Sequence, residues 1–597
     1  MVGFVRYVTH SKFFDCPFAY HGRVSALYSL GIELRRHPSQ NFILSFSGNL
    51  VSIFLPHFAC FSLASCKMSS LWSWLKGKPS QLARVPTDTV IPLHYLDSSK
   101  MFTDIVMDLS LHFSYVLDSE KLVAALEQLL EKPGWRKLGA RIRRNESGIY
   151  EYHVPTAYTK ERPAIDVSQI KYDISLAEHP IGSTLPRPDG TVSISGDTKE
   201  YRPLFLRKNS PTKLEDWLHA DRAQIVLHIV AFSDATLVTV TWLHSFMDAM
   251  SLHTLFDAWT AMLEGREQDI PEFYGEIDDP LATLGVDSDP KLTSDRFEEE
   301  EDFILKDRVV TGWKFIRFVF ILLWDLVIYR KEAIHFIIIP PTFFSALRTE
   351  AMASLTDPFT DPQSAPPLTP DKANPQTPFI SDGDILCAWW TRLTTSSLPR
   401  APAPTRTFQI LNVFNMQDLL RTTSPALLPN DRSYAYVHNC VTYVQSFLTL
   451  HELLSLPLGH VAARLRSDLV LQTTRPQIEA RWRLQREEVA RSGNPPLYGE
   501  GDMQLVPFTN WHKARMFEVN FGAAAIGKAN GEEAVGRPRC VMPDATARGM
   551  PLRLSGNVSG RDAQGNWWVG GILTAETWDN VKKAVETLNV QAAAKNV

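Results

Sequence analysis

No CxxC pair occurs in the sequence, and no cysteine–histidine cluster has metal-ligand spacing, so no metal site is expected. Cysteine is scarce, six in 597 residues: Cys16, Cys60 and Cys66 lie near the amino terminus, and Cys387, Cys440 and Cys540 stand far apart. That usage excludes a disulfide scaffold and fits a reducing compartment. Runs of lysine and arginine are missing, and the net charge of −5 is small for the length, so nucleic acid is not an expected partner. No internal repeat is present. What the chain does have is core-forming material: 44% hydrophobic residues and 11% aromatics, enough for about two to four packed domains.

The segment ahead of Met68 differs from the rest. Phe42 to Cys66 carries no formal charge and is flanked by Arg35, Arg36 and Lys67. Its length suits a bilayer, but Gly48, Asn49, Pro56, His57 and five serines dilute it. Three readings stay open: a membrane anchor, a disordered extension, or upstream sequence joined to a protein that begins at Met68. The last is favoured, because Met68 opens a segment that runs directly into domain-like patterning. Residues 1–84 are therefore set apart as an amino-terminal extension.

Val90–Leu96 and Ile105–Val116 read as strands. Asp118 caps a helix over Glu120–Leu130, with Leu122, Leu126 and Leu129 on one face. Ile225–Val230 and Leu237–Trp242 form a further strand pair. After Pro271 comes an acidic stretch through Glu298 and Asp302, expected to be a solvated linker, and 358–378 reads as an exposed Pro-rich loop. A second ordered block runs from Ile380 to about Leu588, with strands near Phe408–Phe414 and Val437–Val444 and a hairpin at Arg561–Val569. The expected division is 85–285, a linker over 286–378, and 379–592.

Within the linker, Trp313–Tyr329 is mostly aromatic and aliphatic. Its charges, Lys314, Arg317 and Asp325, fall within roughly 80° on a helical wheel. It is either a helix packed across the two domains or one lying in a membrane interface.

The chemistry centres on Thr239-Val-Thr-Trp-Leu-His244-Ser-Phe-Met-Asp248. A bare H-x-x-x-D is expected about once by chance in a chain with this much histidine, so its setting decides. Leu237–Trp242 has the period-2 alternation of a half-buried strand, with Thr239 and Thr241 on one side. From Met247 the apolar positions turn helical: Met250, Leu252, Leu255, Phe256, Trp259 and Met262. His244 thus sits where a strand hands over to a helix, a common place for a positioned general base.

With four further segments the chain resembles the HxxxD acyl-CoA-dependent acyltransferases, called BAHD in plants, near the fungal trichothecene acetyltransferase-like group. Gly134-Trp-Arg-Lys-Leu-Gly139-Ala-Arg-Ile-Arg143 follows the first helix. Ser381-Asp-Gly-Asp-Ile-Leu-Cys-Ala-Trp389-Trp390 resembles the helix that opens the second domain, and Tyr436-Val-His-Asn439 the Y-x-G-N strand. Thr509-Asn510-Trp511 resembles the T-S-W segment, and Asn520-Phe521-Gly522 the D-F-G-W-G loop. Departures are Leu243 before the motif, Ala249 after it, His438 for glycine, Asn520 for aspartate, and Ala523-Ala524 for Trp-Gly.

The resemblance implies an α/β protein of two chloramphenicol acetyltransferase-like domains, each a mixed sheet flanked by helices, with an active-site channel between them. It implies His244 as general base and Asp248 as structural support pointing away from it. Thr509, Asn510 and Trp511 become candidates for the oxyanion or acceptor, and Asn520, Phe521 and Gly522 a structural loop. It implies transfer of an acyl group, most simply acetyl, from acyl-CoA as co-substrate to a hydroxyl of a small acceptor such as a fungal secondary metabolite. No bound cofactor is expected. A cytoplasmic monomer is expected, with membrane association through 42–66 or 313–329 as the alternative. Two other classes stay open: a peptide-synthetase-like condensation enzyme, against which Leu243 and the lack of a carrier segment count, and a non-catalytic binding relative of the fold.

Overall fold

The computed structural model describes residues 82–286, 301–356, 368–371, 377–527, 536–547 and 553–595, and the backbone of three earlier strands. Those strands, Ile32–Arg36, Phe42–Phe46 and Asn49–Ser52, form an antiparallel sheet in a unit built on Met1–Ser80. Two of them fall inside the uncharged run Phe42–Cys66; the rest of that run lies outside the described residues, as do Glu298 and most of 358–378. Among the described residues, no helix is long and apolar enough to cross a membrane.

The second unit is built on two large sheets. The first runs Cys540–Ala547, Ile105–Phe113, Thr236–Leu243, Val226–Ala231, Asp166–Lys171. Thr236–Leu243 is antiparallel to both neighbours, while Val226–Ala231 and Asp166–Lys171 run parallel. The second sheet runs Val441–Thr449, Thr407–Asn415, Gln504–Asn510, Ser555–Arg561, Trp567–Thr574, Glu332–Ile339, Ser193–Ile194. Each sheet thus takes a strand from the opposite part of the chain: Cys540–Ala547 joins the first and Ser193–Ile194 the second. A smaller sheet joins Thr89–Pro92, Tyr150–Val154 and Arg141–Arg144; its first strand is shorter than the expected Val90–Leu96, since Pro92 cannot donate to a ladder.

The expected half-buried strand Leu237–Trp242 is instead buried on both faces. Its threonines make this tolerable. Thr236 donates to the Tyr115 carbonyl, Thr239 shares a 3.0 Å hydrogen bond with Ser110, and Thr241 donates to Asp108. A hydroxyl paired inside the sheet escapes the desolvation penalty that made a wet face the default expectation.

The helix Ser119–Leu129 is capped by Asp118, which accepts from Lys121 N–H at 3.0 Å, and buries Leu122, Leu126 and Leu129 as expected. It packs on Ala249–Leu263, where Trp259 Nε1 donates to the Leu122 carbonyl. Trp389, Trp390, Trp567 and Trp568 are all buried in the cores. A third apolar cluster joins the two halves of the chain through Leu96, Phe102, Met416, Tyr436 and Trp482.

The helix Gly312–Ile328 forms where expected, with one apolar strip turned inward and another exposed. Ion pairs run along its rim, Lys314 with Glu500, Arg317 with Asp502 and Asp325 with Arg553, and the Lys314 and Arg317 side chains stay 60% and 54% exposed. Only Phe318 and Val319 are buried, whereas Trp313 is 74% exposed, Phe320 66% and Trp324 60%. The inward strip holds Phe318 and Val319 with the partly buried Phe315, Leu322 and Leu326, and a second apolar stripe is left outward.

Candidate active site

His244 follows the last residue of the buried strand. Its N–H still bonds the Ile105 carbonyl at 2.9 Å, so the ladder with the neighbouring strand carries one residue past Leu243. The chain then turns: Phe246 N–H donates to the Leu243 carbonyl, Trp242 Nε1 to the Met247 carbonyl, and Tyr152 Oη to the Ser245 carbonyl. Every tie fixes backbone, so the imidazole is carried on a rigid turn. Its ring stacks on Phe102, with centroids 4.6 Å apart.

Asp248 ends the turn and caps the helix Ala249–Leu263. One carboxylate oxygen accepts from Ser251 N–H at 2.9 Å; the other accepts from Cys440 N–H at 2.9 Å and Asn415 Nδ2 at 3.1 Å. Two backbone amides and an asparagine thus hold the carboxylate. Ala249 is the first helical residue, a position where a Cβ is harmless.

The side chain that reaches the His244 backbone is Asn439. Its Nδ2 donates to the His244 carbonyl at 2.8 Å and to Asp97 Oδ1 at 2.8 Å, while Asn439 N–H donates to the same Asp97 oxygen at 3.1 Å. His244 is thereby held by Asp97 and Phe102 from the first half of the chain and Asn439 from the second. Burial keeps the imidazole pKa below its ordinary value, against an upward pull from its own carbonyl, Asn439 and Asp97. The ring is accordingly neutral at pH 7. Its Nδ1 is buried without a hydrogen-bond partner among the described residues.

Beneath this lies a second buried group. His94, Asp97 and His438 each present an atom within 4.8 Å of the others, a grouping that could hold a metal ion. Lys137 already supplies a cation there, with Nζ 3.4 Å from His94 Nε2 and 3.2 Å from His438 Nε2. It also donates to the Glu276 carbonyl at 2.6 Å. His438 Nδ1 lies 2.9 Å from Asp97 Oδ2, and its Nε2 lies between Lys137 Nζ and the Gly275 carbonyl, 3.1 Å from the latter. Burial lowers His94 to about 2 and Lys137 to about 8, and burial with the ammonium holds His438 far below its usual value. His438, which stands where the resemblance expects glycine, thus has a built role. Asp97 and Phe102 were not singled out from sequence, because nothing in their spacing marks them, and Lys137 stood in the Gly134–Arg143 segment with no role assigned.

Thr509 and Asn510 end the strand Gln504–Asn510, and Trp511 is buried with its N–H on the Val558 carbonyl at 2.8 Å. Asn510 is exposed, and its Oδ1 accepts from His512 N–H. Among the described residues no hydrogen bond joins these three to His244. Asn520 Oδ1 accepts from Gly522 N–H at 2.9 Å, so the amide closes its own turn. Phe521 is fully buried against Phe113, Phe256 and Trp259. A Cβ on Gly536 would lie 2.1 Å from Gly522 N, so the turn is closed against glycine backbone. Cys387 and Cys440 are buried and free, with thiol pKa values raised by burial.

No protein-family model matches the chain. Among curated proteins it is 33% identical over 516 residues to acetyltransferase adrJ of Penicillium rubens, covering 86% of this chain and 98% of that one. It is 31% identical over 510 residues to transcriptional regulator calD of Penicillium decumbens, covering 85% and 97%. Among solved structures, TRI101 of F. graminearum, in a crystal complex with coenzyme A and deoxynivalenol, has a TM-score of 0.54 at 16% identity and covers 83% of this chain and 97% of that one. That likeness is one of fold: two domains of mixed sheet and helix. From its motif, its architecture and these relatives, the chain belongs to the fungal HxxxD acyltransferase family, the BAHD-like group of trichothecene acetyltransferase-type proteins.

Proposed function

We propose that this acyltransferase moves an acyl group, acetyl in the simplest case, from acyl-CoA to a hydroxyl of a small, largely apolar acceptor. Residues 85–285 and 379–592 act as its two domains, with 286–378 between them and strands exchanged in both directions. The observation that carries the proposal is a neutral, half-buried imidazole on a rigid strand-to-helix turn. An alcohol is a poor nucleophile at neutral pH, and a positioned base is worth about 10²–10⁴-fold. His244 Nε2 removes the hydroxyl proton as the oxygen attacks the thioester carbonyl. The C–O bond forms, the tetrahedral intermediate collapses with cleavage of the C–S bond, and His244 returns its proton to the departing thiolate. The thioester is already activated, so no covalent enzyme intermediate is required.

Asp248 supports the turn without touching the reacting atoms. Thr509, Asn510 and Trp511 are the proposed oxyanion or acceptor contacts, reached as substrates fill the site, where a lost donor costs about 10²–10³-fold. Asn520, Phe521 and Gly522 form a structural loop. No bound cofactor enters these steps, and the enzyme is proposed to act as a monomer in the reducing cytosol.

One observation favours a second reading: calD, nearly as similar as adrJ, carries the name of a transcriptional regulator. A non-catalytic role would leave the base idle, and a net charge of −5 provides little attraction for nucleic acid. Free thiol measured after incubation with acetyl-CoA and a panel of alcohols separates the two. Acceptor-dependent release supports the transferase; none with any acyl-CoA overturns it.

A further inference from the structure

The outward face of Gly312–Ile328 does no work in the transfer chemistry. On a helical wheel Val327, Phe320, Trp313, Trp324 and Ile328 fall in one stripe roughly 100° wide, interrupted by Arg317, which is paired with Asp502. All five are exposed, from 40% for Val327 to 74% for Trp313. Surface helices ordinarily bury such a stripe and wet the polar one. This helix buries a different apolar strip, through Phe318 and Val319, and leaves the first in solvent, with three ion pairs at its rim: Lys314–Glu500 at 3.1 Å, Arg317–Asp502 at 2.7 Å and Asp325–Arg553 at 2.6 Å. The docking is close, since a Cβ on Gly501 would lie 2.7 Å from the Lys314 carbonyl oxygen.

What would cover the stripe follows from its composition and rim. Tryptophans stand near both ends, at 313 and 324, as in side chains that settle at a bilayer's polar boundary. At its carboxyl end the stripe meets Arg330 and Lys331, both exposed and neither ion-paired among the described residues. The five side chains offer on the order of 600 Å² of surface, less than the ~800 Å² per partner of a stable protein interface. An apolar stripe flanked by unpaired cations matches acyl chains beneath anionic headgroups.

We propose that Gly312–Ile328 is a membrane-surface anchor, lying in the plane of an anionic leaflet with Trp313, Phe320, Trp324, Val327 and Ile328 immersed and Arg330 and Lys331 at the phosphates. The helix is too short and too amphipathic to cross, and it does not need to. The anchor would bring the enzyme to apolar acceptors that partition into the bilayer. That consequence rests on the proposed function, whereas the anchoring itself does not.

The test is flotation of the full chain with vesicles of phosphatidylcholine alone and of phosphatidylcholine with phosphatidylserine at 3:1. The wild type floats with the anionic vesicles. A Phe320→Ser/Trp324→Ser variant loses roughly tenfold or more of that partitioning, and an Arg330→Glu/Lys331→Glu variant loses it on anionic vesicles. Both keep the wild-type unfolding midpoint and rate of coenzyme A release with a water-soluble alcohol. Flotation of the double serine variant equal to the wild type overturns the proposal, as that would place membrane binding elsewhere in the chain. So does a wild type that stays unbound and forms a dimer which the serine variant abolishes, since the stripe would then join two copies. Loss of thiol release with flotation intact would count against the transfer chemistry alone.

Discussion

Asn439 is the residue whose removal should separate folding from catalysis. Its amide donates one hydrogen bond to a buried carboxylate and one to the carbonyl of His244, both at 2.8 Å. Asn439→Ala deletes both and leaves the Asp97 oxygen with the backbone N–H alone. A bond to a charged acceptor is worth about 1.5–3 kcal/mol and one to a neutral carbonyl about 0.5–1.5, so the unfolding free energy should fall by about 2–4 kcal/mol. The catalytic cost should exceed what a stability loss alone produces. His244 would keep its strand hydrogen bond to Ile105 but lose the tie at its carbonyl, and a shift of about 1 Å at a reacting group costs about 10²-fold. The assay pairs denaturant unfolding with initial rates of thiol release from acetyl-CoA, measured well below the unfolding midpoint. A fall in kcat of about 10²-fold with KM for acetyl-CoA within about twofold is the expected result. Refutation would be the full stability loss with kcat unchanged, for the tether would then hold the fold without holding the base.

Three further outcomes follow from the same geometry. Burial lowers His94 to about 2 and His112 to about 4 and also lowers His438, so below about pH 6.5 the unfolded chain takes up protons that the folded chain refuses. Stability should therefore fall on acidification from about 6.5 by up to about 1.4 kcal/mol per pH unit for each histidine, and equilibrium unfolding between pH 7 and 5 checks it; His94→Gln should flatten the slope. Asp248→Ala should destabilise by about 2–4 kcal/mol, since it strips a helix cap and leaves the Cys440 N–H unpaired, and a stability change under 0.5 kcal/mol in thermal unfolding would contradict the supporting role. Phe521→Ala should cost about 3–5 kcal/mol, read by the same unfolding assay, because its ring is fully buried against three aromatic rings.

Where side-chain periodicity encodes structure, the sequence was legible. The alternation at Leu237–Trp242, the shift to helical spacing after Met247 and the cap at Asp118 all correspond to observed elements. His244 could be found because a rare residue sits at the seam of two periodicities. The supports around it are long-range: Asn439 meets His244 across 195 positions and Asp97 across 342, and no local pattern records such pairings. Strand exchange between the sheets was invisible for the same reason. The helix at Gly312–Ile328 shows a different limit. Its wheel gave the amphipathic character correctly, but not that Lys314, Arg317 and Asp325 would meet Glu500, Asp502 and Arg553, all remote in sequence.

The most direct measurement is coenzyme A release by His244→Ala, with acetyl-CoA and an accepted alcohol, on protein whose circular dichroism and unfolding midpoint match the wild type. The account predicts a fall in kcat of about 10²–10⁴-fold with little change in KM for acetyl-CoA. Wild-type turnover in that folded variant would contradict it.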